Sequence, residues 1–260
     1  VTAAHDDEEF FLSALTSDRI IAGRNLQVSP RRVYSLLRSS IREGALNIDE
    51  HLVEEILIRT MATSRNAVRE ALQMLAGDGL VIRRPRIGTS VVGRITALDL
   101  VDLAHDRELE VVLSDRQTVP STEYMRERLQ TDAETLMMTE ALIYANGEPV
   151  ALTVDYVESE MDARFPDWTR VRGLGLVDGF EHVRGVRFGR IDLVIETTNA
   201  DARTARLLGM ATGAATMVRE ALTCDEDGIP RILGFAHFRG DRTALTLRMT
   251  RDELVGPGGE

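Results

Sequence analysis

The sequence holds a single cysteine, Cys224, and no lysine at all. The first scarcity excludes an intrachain disulfide and a thiolate metal cluster, and it suits a reducing compartment. The second means that each of the 31 basic residues is Arg, so every cationic contact must come from a planar, forked donor. The bland origin of this bias is a GC-rich genome that favours Arg codons. Also missing is any apolar run near the roughly 18 residues that a membrane span requires. The opening stretch, VTAAHDDEEFF, is acidic where a signal peptide is basic and then apolar. These absences lead us to expect a cytoplasmic protein without a membrane partner.

What is present fits an ordinary globular chain: 260 residues, 43% hydrophobic and 28% charged. That length holds one domain or two modest ones. The formal charge of −11 is unevenly spread, because residues 30–94 hold eleven Arg against seven carboxylates, a net +4 that leaves −15 for the rest. An acidic chain with one basic segment points to a polyanion site there and a different task elsewhere.

Within that segment the apolar spacing predicts three helices. Pro30 opens the first, which carries Val33, Leu36, Leu37 and Ile41 inward and ends at Gly44. Asp49 is the expected cap of a second, with Leu52, Val53, Ile56, Leu57 and Met61 on its apolar side. Ser64 caps a third that runs through Ala76 and buries Ala67, Val68, Ala71, Leu72 and Leu75. LVIRR, the turn PRIGT and SVVG then read as two short strands. Three helices and a basic hairpin in that order make a winged helix-turn-helix, whose third helix enters the major groove of double-stranded DNA. Arg65 and Asn66 are the expected base readers, Arg69 lies one turn on, and Arg83, Arg84 and Arg86 of the wing follow the backbone or minor groove. A helix with a solvated charged face is the alternative that the hairpin argues against.

Residues 8–15 read as one short helix of an extension at 1–29, and residues 96–105 as a linker helix. Beyond, alternating runs flank turns at Asn146-Gly147 and DEDGIP, while TNADARTARLLGM is helical. The second half is therefore α+β with a mostly antiparallel sheet. We set the limits at 30–93 for the head, 94–107 for the linker and 108–254 for the second domain.

The stretch EHLVEEILIRTMATSRNAVREALQMLAGDGLVIRR, with its SRNAVREAL core and following GDGLV, resembles the winged helix-turn-helix of the GntR transcriptional regulators, over about residues 30–93. The features ANGEPVALTVDYV, ARLLGM and DEDGIPRILGFAHFRGDR resemble the UTRA effector domain of the HutC subfamily, which has a chorismate-lyase-like fold. The resemblance implies a homodimeric, operator-binding regulator whose second domain takes a small-molecule effector. It implies DNA contacts from Arg65, Asn66 and Arg69, capping by Ser64, and a place near phosphate for Thr89 in the wing. Where many relatives carry a DNA-contacting Arg early in the second helix, this chain has Glu55.

UTRA domains that sense sugar phosphates carry two Arg and two Glu at positions that match Ala141, Ile143, Thr153 and Ile232 here. A phosphate without cationic donors forfeits roughly 1.5–3 kcal/mol for each charge-assisted bond. We therefore expect a less polar effector, held by apolar surface and directed by Thr153, Tyr156, Phe238 and Arg239. Residues that simply fill the core are the alternative. The all-helical effector type with Asp and His metal ligands fits two hairpins poorly.

Other signals are weaker. GLGLVDG lacks the spacing of a phosphate loop. His105, His182 and His237 share no metal-ligand spacing, and Asp192 and Glu196 read as solvated carboxylates. We expect no metal, cofactor or catalytic set. A chorismate-lyase-type enzyme with a DNA-binding head and a ligand-independent DNA-binding protein are the rival readings.

Overall fold

The computed structural model describes residues 29–84, 86–103, 109–158 and 175–251; the expected helix at 8–15 lies outside them. The chain divides into two compact units between Ile95 and Thr96.

The first unit begins with helix α1 (Pro30–Arg42), where Ser29 Oγ accepts the Arg32 amide and Pro30 occupies the first turn. Val33, Leu37 and Ile41 are buried, but Leu36, expected among them, is exposed. It falls off the narrow stripe that packs on the neighbouring helix. A two-residue strand, β1 (His51–Leu52), comes before helix α2 (Glu54–Thr60). Asp49 is therefore not a helix cap: its backbone is left-handed at φ 68° and its amide donates to Val91 O. Val53 takes the cap position without a side-chain bond, because a strand has claimed the residues before it. Helix α3 (Arg65–Gly77) buries Ala67, Val68, Ala71, Leu72 and Leu75, the stripe read from spacing. Strands β2 (Val81–Arg84) and β3 (Gly88–Val91) form the antiparallel wing, and β1 pairs on the far side of β3.

The second unit contains an antiparallel sheet of six strands: β5 (Leu109–Pro120), β6 (Thr135–Ala145), β7 (Glu148–Glu158), β8 (Phe188–Asn199), β9 (Ala215–Asp225) and β10 (Pro230–Arg239). Their spatial order is β5-β6-β7-β10-β9-β8. The turn between β6 and β7 places Asn146 and Gly147 at φ 52° and 78°, the paired left-handed geometry that makes Asn-Gly a hairpin signal. Between β9 and β10, the Asp225 carboxylate accepts the Asp227 and Ile229 amides and the Arg231 guanidinium. Helices α4 (Glu123–Leu129), α5 (Leu176–Arg184) and α6 (Ala202–Leu207) are the helices among the described residues of the unit, an α+β arrangement.

The expected linker helix is corrected. Thr96–Asp99 is strand β4, which pairs in parallel with β11 (Thr243–Thr246). The Asp99 carboxylate then accepts the Val101 and Asp102 amides and ends the strand. The partner strand lies nearly the whole unit away in sequence, so local periodicity gives no sign of it.

Candidate functional site

On the first unit, Ser64 Oγ accepts the Ala67 amide at 3.2 Å and fixes where α3 starts. This start sets the phase of the helix: Arg65, Asn66 and Arg69 are exposed while the other face is buried. Two of these cations have carboxylate partners on α2. Arg65 donates to Glu55 and Arg69 to Glu54, each at 2.9 Å, and Arg83 of the wing reaches Glu54 at 3.2 Å. Glu54 thus ties the third helix to the wing, and Glu55 faces a reading cation. Arg84 and Arg86 are exposed, with no ion pair among the described residues. Arg86 holds the turn in a left-handed conformation at φ 64°.

Thr89 does not lie where expected. It is 5% exposed, on the middle strand of the wing with Leu52 and Arg83 as cross-strand neighbours. On a middle strand covered on one face, little of its side chain reaches the surface.

On the second unit, one face of the six-stranded sheet and the covering helix α5 line a mainly apolar, partly open cavity of ≈ 210 Å³. Ala141, Ile143, Thr153 and Ile232 all line it, so the register gathers residues from three strands. Ala141 lies across from Thr153, which lies across from Ala236, which lies across from Arg219. Tyr156, Phe238 and Arg239 are not in its wall, which corrects the expectation for them. Tyr156 has the opposite parity to Thr153 and packs edge-to-face on Phe235, with ring centres 6.3 Å apart. Phe238 is fully buried among core residues that include Leu98 and Val150. Arg239 pairs with Asp241 at 2.7 Å and donates to Leu208 O.

Four charged residues that sequence reasoning misses do line the cavity: Asp102, Asp155 on β7, Arg184 on α5 and Arg219 on β9. The expectation of a pocket without cationic donors is thereby corrected. Gly234 lies opposite Asp155, where an added Cβ would come within 2.5 Å of Asp155 Oδ1. The glycine makes room for the carboxylate. Burial pushes the Asp155 carboxyl up to about 6, against the pull of Arg219 and Arg184 in the other direction. Burial likewise pulls the Arg219 guanidinium down, opposed by Asp155, Asp99 and Asp102. Arg219 Nη1 donates to Leu100 O at 2.6 Å, while its buried Nε has no hydrogen-bond partner among the described residues. The Leu176 amide at the start of α5 donates to Asp102 Oδ2 at 2.8 Å, so a carboxylate already occupies that donor. One signal for these residues exists in the sequence: a charged side chain in phase with apolar ones on a central strand, as Asp155 is with Thr153.

Among the described residues, no cluster of three or more His, Cys, Asp or Glu is arranged to hold a metal ion, and no helix is long and apolar enough to cross a membrane.

A family model described as UTRA domain matches residues 104–244, and one described as bacterial regulatory proteins, gntR family, matches residues 30–91. Among solved structures, PhnF from Mycobacterium smegmatis is similar at 23% identity and a TM-score of 0.55, over 85% of this chain and 100% of that one. YydK from Bacillus subtilis is similar at 16% identity and a TM-score of 0.51, over 85% of this chain and 99% of that one. The effector domain of the Mycobacterium smegmatis PhnF covers 60% of this chain and 99% of its own length, at 21% identity and a TM-score of 0.50. At these identities the likeness is one of fold.

Proposed function

Because the chain belongs to the UTRA domain family and carries a gntR-family head, we propose that this transcriptional regulator is a homodimeric repressor of the HutC type. Its affinity for operator DNA falls when a small molecule occupies the cavity of the second unit. One observation carries the reading: Arg65, Asn66 and Arg69 are exposed on a capped helix whose other face is buried. Arg bonds guanine and Asn bonds adenine in a bidentate manner, while Arg83, Arg84 and Arg86 are available to the backbone. On the operator, phosphate and base edges replace Glu54 and Glu55 as partners of the cations. The protein works where its operator is, in the cytoplasm. The domain limits 30–93 and 108–254 belong to the same reading.

Dimerisation matches two heads to two half-sites, and effector binding favours a spacing that fits them less well. The edge strand β8, which leaves Val194 and Ile195 exposed, supports a second copy against this unit. A less polar effector than a sugar phosphate is supported by the mainly apolar wall, in which Ala141, Ile143, Thr153 and Ile232 stand where sugar-phosphate sensors carry charges.

Footprinting on the DNA upstream of the protein's own gene tests the reading. We expect two protected half-sites, weakened by an effector. Protection of every sequence alike, or none, would remove the regulator reading.

A further inference from the structure

We infer that the cavity of the second unit takes a small, mainly apolar molecule bearing one carboxylate, which docks on Arg219 and Arg184. The inference rests on the cavity being the effector site and names the chemistry that fits it. Most of the wall is apolar, with Ile143, Ile232, Phe180 and Val183 around the space. At ≈ 210 Å³ the cavity lies below the roughly 300–1,000 Å³ of drug-sized sites, so the ligand is a small metabolite.

The pairing of the charges decides which kind. Arg184 and Arg219 line the cavity with two carboxylates, Asp155 two strands away from Arg219 on the sheet and Asp102 at the covering side, the latter already engaged by the Leu176 amide. Among the described residues neither a hydrogen bond nor an ion pair joins Asp155 to Arg219, so the guanidinium has no carboxylate in direct contact. A buried guanidinium without a direct carboxylate partner is costly beside apolar surface, and an anion that enters relieves it. Arg219 keeps a buried Nε without a hydrogen-bond partner among the described residues; its Nη1 is held by Leu100 O. A flat carboxylate is matched to such a guanidinium edge.

A phosphate dianion fits less well. The start of a helix is the usual source of backbone donors for phosphate, but the Leu176 amide of α5 is bound to Asp102. A dianion would meet that negative charge, and Ala141, Ile143, Thr153 and Ile232 offer it no cation. The arrangement therefore favours an acid with a single charge and an apolar body.

Isothermal titration of the full chain, without DNA, tests this with hexanoate and phenylacetate against hexanamide and phenylacetamide. Glucosamine 6-phosphate and inorganic phosphate complete the set. We expect at least one acid to bind about 10–100-fold more tightly than its amide, the loss typical of one or two charge-assisted bonds. Arg219→Gln and Arg184→Gln should each reduce that ratio towards one. The wild-type ratio is read without a variant, so a misfolded variant leaves the test intact. Equal binding of acid and amide, binding confined to the phosphate compounds, or no binding by either acid overturns the inference. Since no DNA is present, acid binding that persists in a protein with no operator would sink the regulator reading alone.

Discussion

In the first unit Arg65, Arg69 and Arg83 stand partly in water, with side chains 56%, 53% and 41% exposed and glutamates of the preceding helix as partners. In the second unit Arg184 and Arg219 line a mainly apolar cavity. The same side chain therefore meets two dielectric regimes. Exposed ion pairs contribute about 0–1 kcal/mol and are screened by salt. They exchange readily for phosphate, as a DNA-reading surface requires. A guanidinium in the cavity is screened far less, so the groups around it weigh more than they would in water.

The largest effect expected from this contrast is on DNA binding. The double variant Arg65→Ala with Arg69→Ala should lose about 2–6 kcal/mol of specific operator binding, at about 1–3 kcal/mol for each base-reading pair. Its unfolding free energy should change by less than about 0.5 kcal/mol, as for other exposed positions. Gel-shift titration and urea unfolding measure the two. If the operator is bound as tightly as by wild type, α3 is not the reading helix. Salt sharpens the contrast: each phosphate that a variant no longer neutralises should flatten the slope of log K against log salt by about 0.9.

A smaller effect belongs to the cavity. Asp155 titrates near 6 in the fold, against an ordinary 3.8. Between those values the native state holds more protons than the unfolded chain, so stability falls as pH rises through the window and stays reduced above it. Asp155→Asn fixes the neutral form. It should stabilise the protein above pH 6 by at most about 3 kcal/mol, since a tenfold change in proton affinity corresponds to about 1.36 kcal/mol, with the gain disappearing below the ordinary carboxylate value. Thermal unfolding at pH 7.5 and 4 reads this out. A variant less stable at pH 7.5 would mean that Arg184 and Arg219 fully compensate the carboxylate, and the contrast would fail.

The smallest effect is on the pairs of the first unit. Glu54→Gln removes the common partner of Arg69 and Arg83, and should change stability by less than about 1 kcal/mol while raising DNA affinity, because a carboxylate leaves the phosphate-facing side. A loss of several kcal/mol on chemical denaturation would show that Glu54 behaves as a buried partner.

Legibility in the sequence follows the range of the interactions. The stripe of α3, its Ser64 cap and the Asn146-Gly147 turn are readable because each rests on residues within a few positions of one another. Residues 96–99 have helical spacing yet form a strand, since their hydrogen bonds go to residues 243–246. Thr89 escapes a local reading because its burial depends on β1 and β2 closing on both sides of β3. The cavity is half legible: strand alternation and family position find Ala141, Ile143, Thr153 and Ile232, but not the charges among them.

A basic head with a capped, amphipathic third helix, followed by an acidic α+β unit, is dictated by the order of residues alone, because helical period, capping and Asn-Gly turn geometry act over short distances. That Asp155, Arg184 and Arg219 share one cavity, and that Glu54 and Glu55 face the reading arginines, is a property of the folded chain. Those relations depend on strand register and on one helix crossing a sheet or another helix. Electrostatic energy follows distance and surrounding dielectric rather than position along the chain.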